Sequence, residues 1–204
     1  MPTFAILPAA GRSQRMGQPK LLLPWRERTI VEHVVSTWVG SRVDGVVVVV
    51  HPNDEQIAKL AAAGGAIVVR PQSAPPQMKD SVCLALAEVR ARFHPTDADA
   101  WLLAPADMPG LTREPIDRLI DAFCESCTTG SAARDTIWAV ASSGRRGHPV
   151  LFPWTLAVEV EQLGPDEGIN SIVERHSVRT VEVGAAAIWQ DLDTPEDYER
   201  LRPR

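Results

Sequence analysis

The chain has 204 residues, 45% hydrophobic and 23% charged, the size and balance of one globular domain, residues 1–204, with room for a substantial core. Its formal net charge of −5 gives no overall attraction for nucleic acid, and no segment approaches membrane-spanning length. Neither a nucleic acid nor a membrane is therefore expected as a partner.

Residues Thr3 to Leu7 form a short apolar run without alternation, as expected of a strand covered on both faces. The loop that follows, Pro8-Ala9-Ala10-Gly11-Arg12-Ser13-Gln14-Arg15-Met16-Gly17-Gln18-Pro19-Lys20, carries three cations and no acidic residue. Small residues at its start let backbone N–H groups approach an anion, and Arg12, Arg15 and Lys20 add charge suited to phosphate. It is neither a P-loop nor a dinucleotide-binding GxGxxG.

Val31, Val34, Val35 and Trp38 follow a helical period, and Thr29 with Glu32 has the spacing of a capping box. Val46 to Val50 is a second buried strand. Asn53 with Gln56 repeats the capping spacing ahead of a helix carrying Ile57 and Leu60, which Gly64-Gly65 stops. Ala66 to Arg70 is a third strand; Ser81 opens a helix from Val82 to Phe93; Ala100 to Ala104 is a fourth strand. Strands alternating with helices predict an α/β fold, a Rossmann-like three-layer α/β/α arrangement with a mostly parallel sheet. Ligands of such sheets gather beyond the carboxyl ends of the strands.

Asp107 leaves the fourth strand at that edge, between Pro105 and Pro109, as a hard oxygen ligand suited to magnesium. A helix capped by Thr112 carries Ile116, Leu119, Ile120 and Phe123, and the polar stretch from Glu125 to Asp135 reads as a loop. A strand from Thr136 to Ala141, a turn over Ser142 to Gly147 and a resumed strand at Val150 to Phe152 precede helices around Thr155 to Leu163 and Ile169 to Glu174. Val178 to Val183 is a last strand, and Thr194 to Asp197 caps the final helix. Just before that cap, period-two spacing puts Asp191 and Asp193 on one face of an extended segment, where one of them can join Asp107 on a cation.

Cys83, Cys124 and Cys127 have no disulfide spacing, and the chain opens without the charged n-region of a signal peptide. A reducing, cytoplasmic setting is expected. A lone CxxC at Cys124 and Cys127 cannot complete a zinc site and reads as two helix-end thiols.

PAAGRSQRMGQPKLLLPW, Asp80-Ser81-Val82, ADMPGLT, GRRGHPVLF and DLDTPEDY, in this order, resemble successive motifs of the MobA-like NTP transferases, and most resemble the molybdenum cofactor cytidylyltransferase branch. The likeness spans nearly the whole chain. It implies an enzyme that joins CMP from CTP to the terminal phosphate of molybdopterin and releases pyrophosphate. On the family's pattern Ala9, Ala10, Gly11, Arg12, Ser13, Arg15, Lys20 and Ser81 would bind the nucleotide. Lys20, Arg15 and Asp107 would serve catalysis, Asp107 and Asp191 would hold Mg²⁺, and Gly147, His148 and Pro149 would face the acceptor.

Ala10 before Gly11 resembles the cytidylyl branch, since guanylyl relatives carry a second glycine there; Pro8 and Gln77 depart from the family pattern. The resemblance leaves three alternatives: another NTP, a sugar-phosphate or methylerythritol-phosphate acceptor, or a non-catalytic nucleotide-binding regulator of a molybdenum enzyme. ADMP differs from the methylerythritol branch. A molybdenum hydroxylase or its maturation factor is the macromolecular partner the resemblance implies.

Overall fold

The computed structural model describes residues 1–130, 135–184 and 186–203. Strand β1 (Thr3–Ala9) leads through two short 3₁₀ turns into a two-residue hairpin, β2 (Pro24–Trp25) and β3 (Arg28–Thr29). Then come α1 (Ile30–Val39), β4 (Gly45–Val50), α2 (Glu55–Ala63), β5 (Ile67–Val69), α3 (Met78–Phe93), β6 (Ala100–Leu103) and α4 (Arg113–Thr129). The remainder is β7 (Ile137–Ser142), β8 (Arg145–Pro153), α5 (Ala157–Glu161), α6 (Ile169–Arg175), β9 (Val178–Glu182) and α7 (Pro195–Leu201).

Seven strands form one sheet in the order β5-β4-β1-β6-β8-β7-β9. All pairs are parallel except those made by β8, which runs against both β6 and β7. This is the three-layer, mostly parallel α/β fold expected from the sequence. Because strand side chains alternate, the central strands split between two cores. Leu7, Val48 and Leu102 face Ile30, Val34 and Trp38 of α1 and Leu119 of α4. Ile6, Val47, Val49 and Trp101 face Val82, Leu86 and Val89 of α3 and Ile172 of α6. Burial on both sides is why these strands read as unbroken apolar runs.

Local signals succeed where the backbone has no competing partner. Thr29 and Glu32 form the expected capping box on α1, with the Glu32 carboxylate accepting from the Thr29 N–H at 2.9 Å. Thr194 and Asp197 do the same for α7. The box expected at Asn53 and Gln56 does not form: Asp54 stands at the cap position without a side-chain bond, while the Asn53 N–H donates to His51 Nδ1 at 3.2 Å. Helix α3 begins at Met78, four residues ahead of Val82, because the Asp80 carboxylate accepts from the Gln77 N–H at 2.8 Å and caps an extra turn.

Glu125 to Thr129 continue α4, which Gly130 ends with φ +63°; residues 131–134 of the expected loop lie outside the described residues. Cys124 and Cys127 are free thiols within that helix, half-buried and exposed. The expected turn of Ser142 to Gly147 shrinks to Ser143 and Gly144, both with positive φ, as a two-residue hairpin turn requires. Arg145 to Gly147 belong to β8. The helical stretch expected over Thr155 to Leu163 is a 3₁₀ turn, Trp154–Leu156, followed by the short α5. No helix among the described residues is long and apolar enough to cross a membrane.

Thr29→Ala is expected to lower unfolding free energy by about 1 kcal/mol through loss of the formed cap. Asn53→Ala should stay within about 0.5 kcal/mol of wild type. Urea midpoints at equal m-value compare the two.

Candidate active site

The carboxyl ends of β1, β4 and β6 open into a cleft of about 520 Å³ lined by the first loop, from Pro8 to Ser13, with Arg15, Lys20, His51, Ala106, Asp107 and Asp193. The far wall is Ala74 to Pro76. Met16, buried, pins the 3₁₀ turn Gln14–Met16 to the body and leaves Arg15 exposed.

Asp107 is carried by an extension of β6 beyond its last ladder pair: the Ala104 N–H donates to the Ile6 carbonyl and the Ala106 N–H to the Pro8 carbonyl. Its own carbonyl accepts from the Leu192 N–H at 3.1 Å. Leu192 is fully buried and fixes the two acids beside it. Lys20 Nζ donates to the Leu192 carbonyl at 2.8 Å and to Asp193 Oδ1 at 3.2 Å, and forms an ion pair with Asp107 Oδ2. Arg15 reaches Asp193 Oδ2 at 3.2 Å. One ammonium thus ties the first loop to two carboxylates from distant parts of the chain.

Lys20 and Asp107 respond differently to this burial. Desolvation works to lower the Lys20 pKa, but Asp107 and Asp193 outweigh it and hold the ammonium above its usual value. Asp107 is the more deeply enclosed: burial raises its carboxyl above the ordinary range, Lys20 offsets only part, and Asp191 adds repulsion. Asp107 Oδ1 is buried with no hydrogen-bond partner among the described residues. An acceptor left bare in this way costs free energy unless something binds it.

Asp191 and Asp193 part company. Asp193 lines the first cleft, whereas Asp191 lines a second, of about 610 Å³, with Arg145, Arg146, Gly147, His148 and Trp189. The buried Leu192 between two more exposed acids keeps the expected period-two alternation, yet each acid lines a different cleft. The second cleft depends on an irregularity in β8: Ala139 pairs with Val150 but Ala141 with Arg146, so Gly147, His148 and Pro149 bulge opposite a single residue. Gly147 must be glycine, since a Cβ there would meet the Ile188 carbonyl and lie 2.8 Å from Trp189 Cδ1. Burial lowers the His148 pKa, partly offset by the Leu103 carbonyl at 3.3 Å from Nδ1 and by Asp107 and Asp191. On balance the site favours the neutral ring.

The geometry brings together Ala9, Ala10, Gly11, Arg12, Ser13, Arg15, Lys20 and Asp107 in one cleft and Gly147, His148 and Asp191 in its neighbour. Pro149, buried, is part of the bulge behind the second cleft. Ser81 is not brought to either wall; it is buried in the first turns of α3. Sequence reasoning missed His51, a buried imidazole at the end of β4 that lines the first cleft. Its position straight after a five-valine strand was the available signal.

A divalent metal fits here. Among the described residues no cluster of three or more His, Cys, Asp or Glu is placed to hold an ion. Magnesium needs only one or two carboxylates beside phosphate oxygens and water, and the bare Asp107 Oδ1 with nearby Asp191 meets that need.

A mostly parallel α/β sheet whose carboxyl edge joins a cationic loop to metal-competent carboxylates suits a phosphoryl- or nucleotidyl-transferring enzyme. Residues 5–181 match the MobA-like NTP transferase domain. The chain belongs to that family and is an enzyme of its general class, moving a nucleotidyl group from an NTP to a phosphate-bearing acceptor.

Relatives from different branches align with it. Purine catabolism protein PucB of Bacillus subtilis (strain 168) is 27% identical over 95% of this chain and 93% of its own. The molybdenum cofactor cytidylyltransferase of Escherichia coli (strain K12) is 25% identical over 98% and 95%. A 2-C-methyl-D-erythritol 4-phosphate cytidylyltransferase of Bordetella petrii is 32% identical over 72% and 66%. Among solved structures, Rv0371c from Mycobacterium tuberculosis H37Rv superposes with a TM-score of 0.78 at 27% identity, covering 98% of both chains. A complex of the same protein with manganese superposes at 0.77 and 25% identity, covering 99% of this chain and 98% of that one. These matches establish the family and do not single out a branch.

The unequal burial of the ion pair gives an asymmetric expectation. A carboxyl whose folded pKa lies above its unfolded value favours folding below that unfolded value, and the benefit is lost as pH rises through the folded pKa. Asp107→Asn should therefore leave the thermal midpoint at pH 7 equal to or above wild type. Lys20→Met, which strands a buried carboxylate, should cost about 3 kcal/mol. Thermal unfolding of the two variants at pH 7 compares them.

Proposed function

We propose that this enzyme transfers CMP from CTP to the terminal phosphate of a molybdopterin-type acceptor and releases pyrophosphate. The observation that carries the reading is the convergence of Lys20 from the first loop with Asp107 and the Asp191–Asp193 segment at one sheet edge.

The first cleft would take the triphosphate against the backbone of Ala9 to Ser13, with Arg12, Arg15 and Lys20 neutralising its charge. The acceptor would occupy the second cleft, where Arg145 and Arg146 supply cations and the Gly147–Pro149 bulge gives the wall. An oxygen of its phosphate attacks the α-phosphorus in line; the new O–P bond forms as the bond to the β-phosphate oxygen breaks, and pyrophosphate departs. Lys20 keeps its proton throughout, since Asp107 and Asp193 hold it charged. Mg²⁺ held by Asp107 and Asp191 would neutralise phosphate oxygens and the leaving pyrophosphate. Asp193, already engaged by Lys20 and Arg15, is the poorer metal ligand. His148 would shape the acceptor wall.

CTP is preferred to GTP on the side chain of Ala10, which narrows the cleft where guanylyl relatives have glycine. A second reading, a methylerythritol-type phosphate acceptor, draws on the Bordetella petrii relative; the ADMP sequence at Asp107 speaks against it. Binding without turnover would make the chain a nucleotide-binding regulator, a role that does not need both metal carboxylates. A molybdenum hydroxylase or its maturation factor would receive the product.

Pyrophosphate release with Mg²⁺ and candidate acceptors tests the reading: turnover should be faster with CTP than with GTP and require a molybdopterin-type acceptor. Faster turnover with GTP, with 2-C-methyl-D-erythritol 4-phosphate, or CTP binding without release, would overturn it. Asp107→Asn should slow release by roughly 10²–10³-fold, the scale of one lost transition-state electrostatic contact. Asp191→Asn should raise the half-saturating Mg²⁺ concentration by at least about tenfold, and Asp193→Asn should not. Steady-state titrations with Mg²⁺ separate the two acids.

A further inference from the structure

His51 is buried, 4% exposed, yet lines both the first cleft and an adjoining recess of about 240 Å³. Its hydrogen bonds conflict. The backbone N–H of Asn53 donates to Nδ1 at 3.2 Å. On the opposite side of the ring, Arg12 Nε lies 3.2 Å and Nη2 3.1 Å from Nε2, with the Arg12 N–H groups directed at it. A neutral imidazole carries one N–H and can accept at one nitrogen only, and a protonated ring can accept at neither. Both contacts cannot be satisfied together.

The two donors differ in freedom. The Asn53 N–H is fixed by a tight turn in which the Asp54 N–H donates to the His51 carbonyl at 2.9 Å. Arg12 is an exposed side chain on the first loop. The fixed donor decides the tautomer: Nδ1 accepts, so Nε2 carries the hydrogen and meets the donors of Arg12. Two sets of N–H groups then converge at the cleft wall, with no acceptor between them among the described residues. An anionic oxygen there would accept from both at once, relieving their mutual repulsion and gaining two charge-favoured bonds.

The geometry points to His51 as a phosphate-binding residue of the first cleft, its Nε2–H acting with the Arg12 guanidinium on one phosphate oxygen of the bound triphosphate. This rests on the first cleft being the triphosphate site. It assigns the imidazole to the polyphosphate rather than to the base or ribose. Arg12 contributes both charge and reach, whereas His51, rigidly held at the end of β4, contributes direction.

Two substitutions separate the ring nitrogens. His51→Asn keeps a polar group where Nδ1 stands and removes the distal donor; His51→Gln keeps a donor where Nε2 stands. Calorimetric titration of the full chain with inorganic pyrophosphate, CTP and cytidine should show pyrophosphate and CTP bound about tenfold more weakly by His51→Asn, the scale of one hydrogen bond to a charged group. His51→Gln should stay within about threefold of wild type, and cytidine should distinguish none of the three proteins. In the wild type, ¹⁵N resonances should show an unprotonated Nδ1 and a protonated Nε2 whose signal shifts when pyrophosphate is added. Unaltered pyrophosphate binding by His51→Asn, equal weakening of cytidine, or a proton on Nδ1 would overturn the proposal while leaving the triphosphate reading intact. Wild-type protein that fails to bind pyrophosphate would overturn both. The ¹⁵N measurement needs no variant, so it decides the matter even if a substitution impairs folding.

Discussion

The ammonium of Lys20 bears on everything else at the sheet edge. It is the point where a loop from the start of the chain, the extension of β6 and the segment before α7 are drawn together, through an ion pair to Asp107 and bonds to Asp193 and the Leu192 carbonyl. Burial opposes the charged form of each partner, and the arrangement persists because one cation is shared between two carboxylates and a carbonyl. The free energy of the fold is thereby placed at the service of the site: burial holds the Asp107 carboxyl above its ordinary range, with one oxygen bare among the described residues. Such local cost is commonly found where a ligand completes the structure.

The remaining architecture supplies two adjoining spaces beside that point. Parallel strands β1, β4 and β6 end together and make the first; the reversed strand β8, bulged at Gly147 to Pro149, makes the second. Asp107 and Asp193 face one and Asp191 the other; on the proposed reading, a metal between the acids would lie where the two substrates meet. The proposed reading assigns nucleotide and acceptor to different kinds of backbone: a glycine-containing loop for the phosphates, and a strand irregularity for the partner molecule.

The fold was legible because the central strands are covered on both faces. Val46 to Val50 and Leu102 announce themselves as buried runs, and Thr29 with Glu32 marks a helix start by local chemistry alone. The failures share a cause, competition from a partner that local patterns do not encode. The N–H of Asn53 was drawn to an imidazole instead of a capping box; Asp80 captured an extra turn for α3; the polar residues after Cys124 stayed helical until Gly130. At the site, the acids and cations were visible as residue types in loops. That Asp191 and Asp193 would line different clefts, or that His51 would stand between two donors, depends on packing across many residues and has no trace in spacing.

The hairpin joining β7 and β8 has a bearing on how this architecture diversifies. Its two residues, Ser143 and Gly144, project past the sheet edge, and the strand beyond them carries Arg145 and Arg146 before the bulge begins. Residues added to that tip would re-aim the guanidinium groups, while β6, paired with β8 only beyond the bulge and with β1 on its other side, and the first loop, tied down through Lys20, stay in place. If the second cleft takes the acceptor as proposed, selectivity for it can drift by lengthening or shortening a single tip, with the machinery for the nucleotide inherited intact. A common ancestor could on this basis give rise to enzymes of unlike pathways without rebuilding its chemistry.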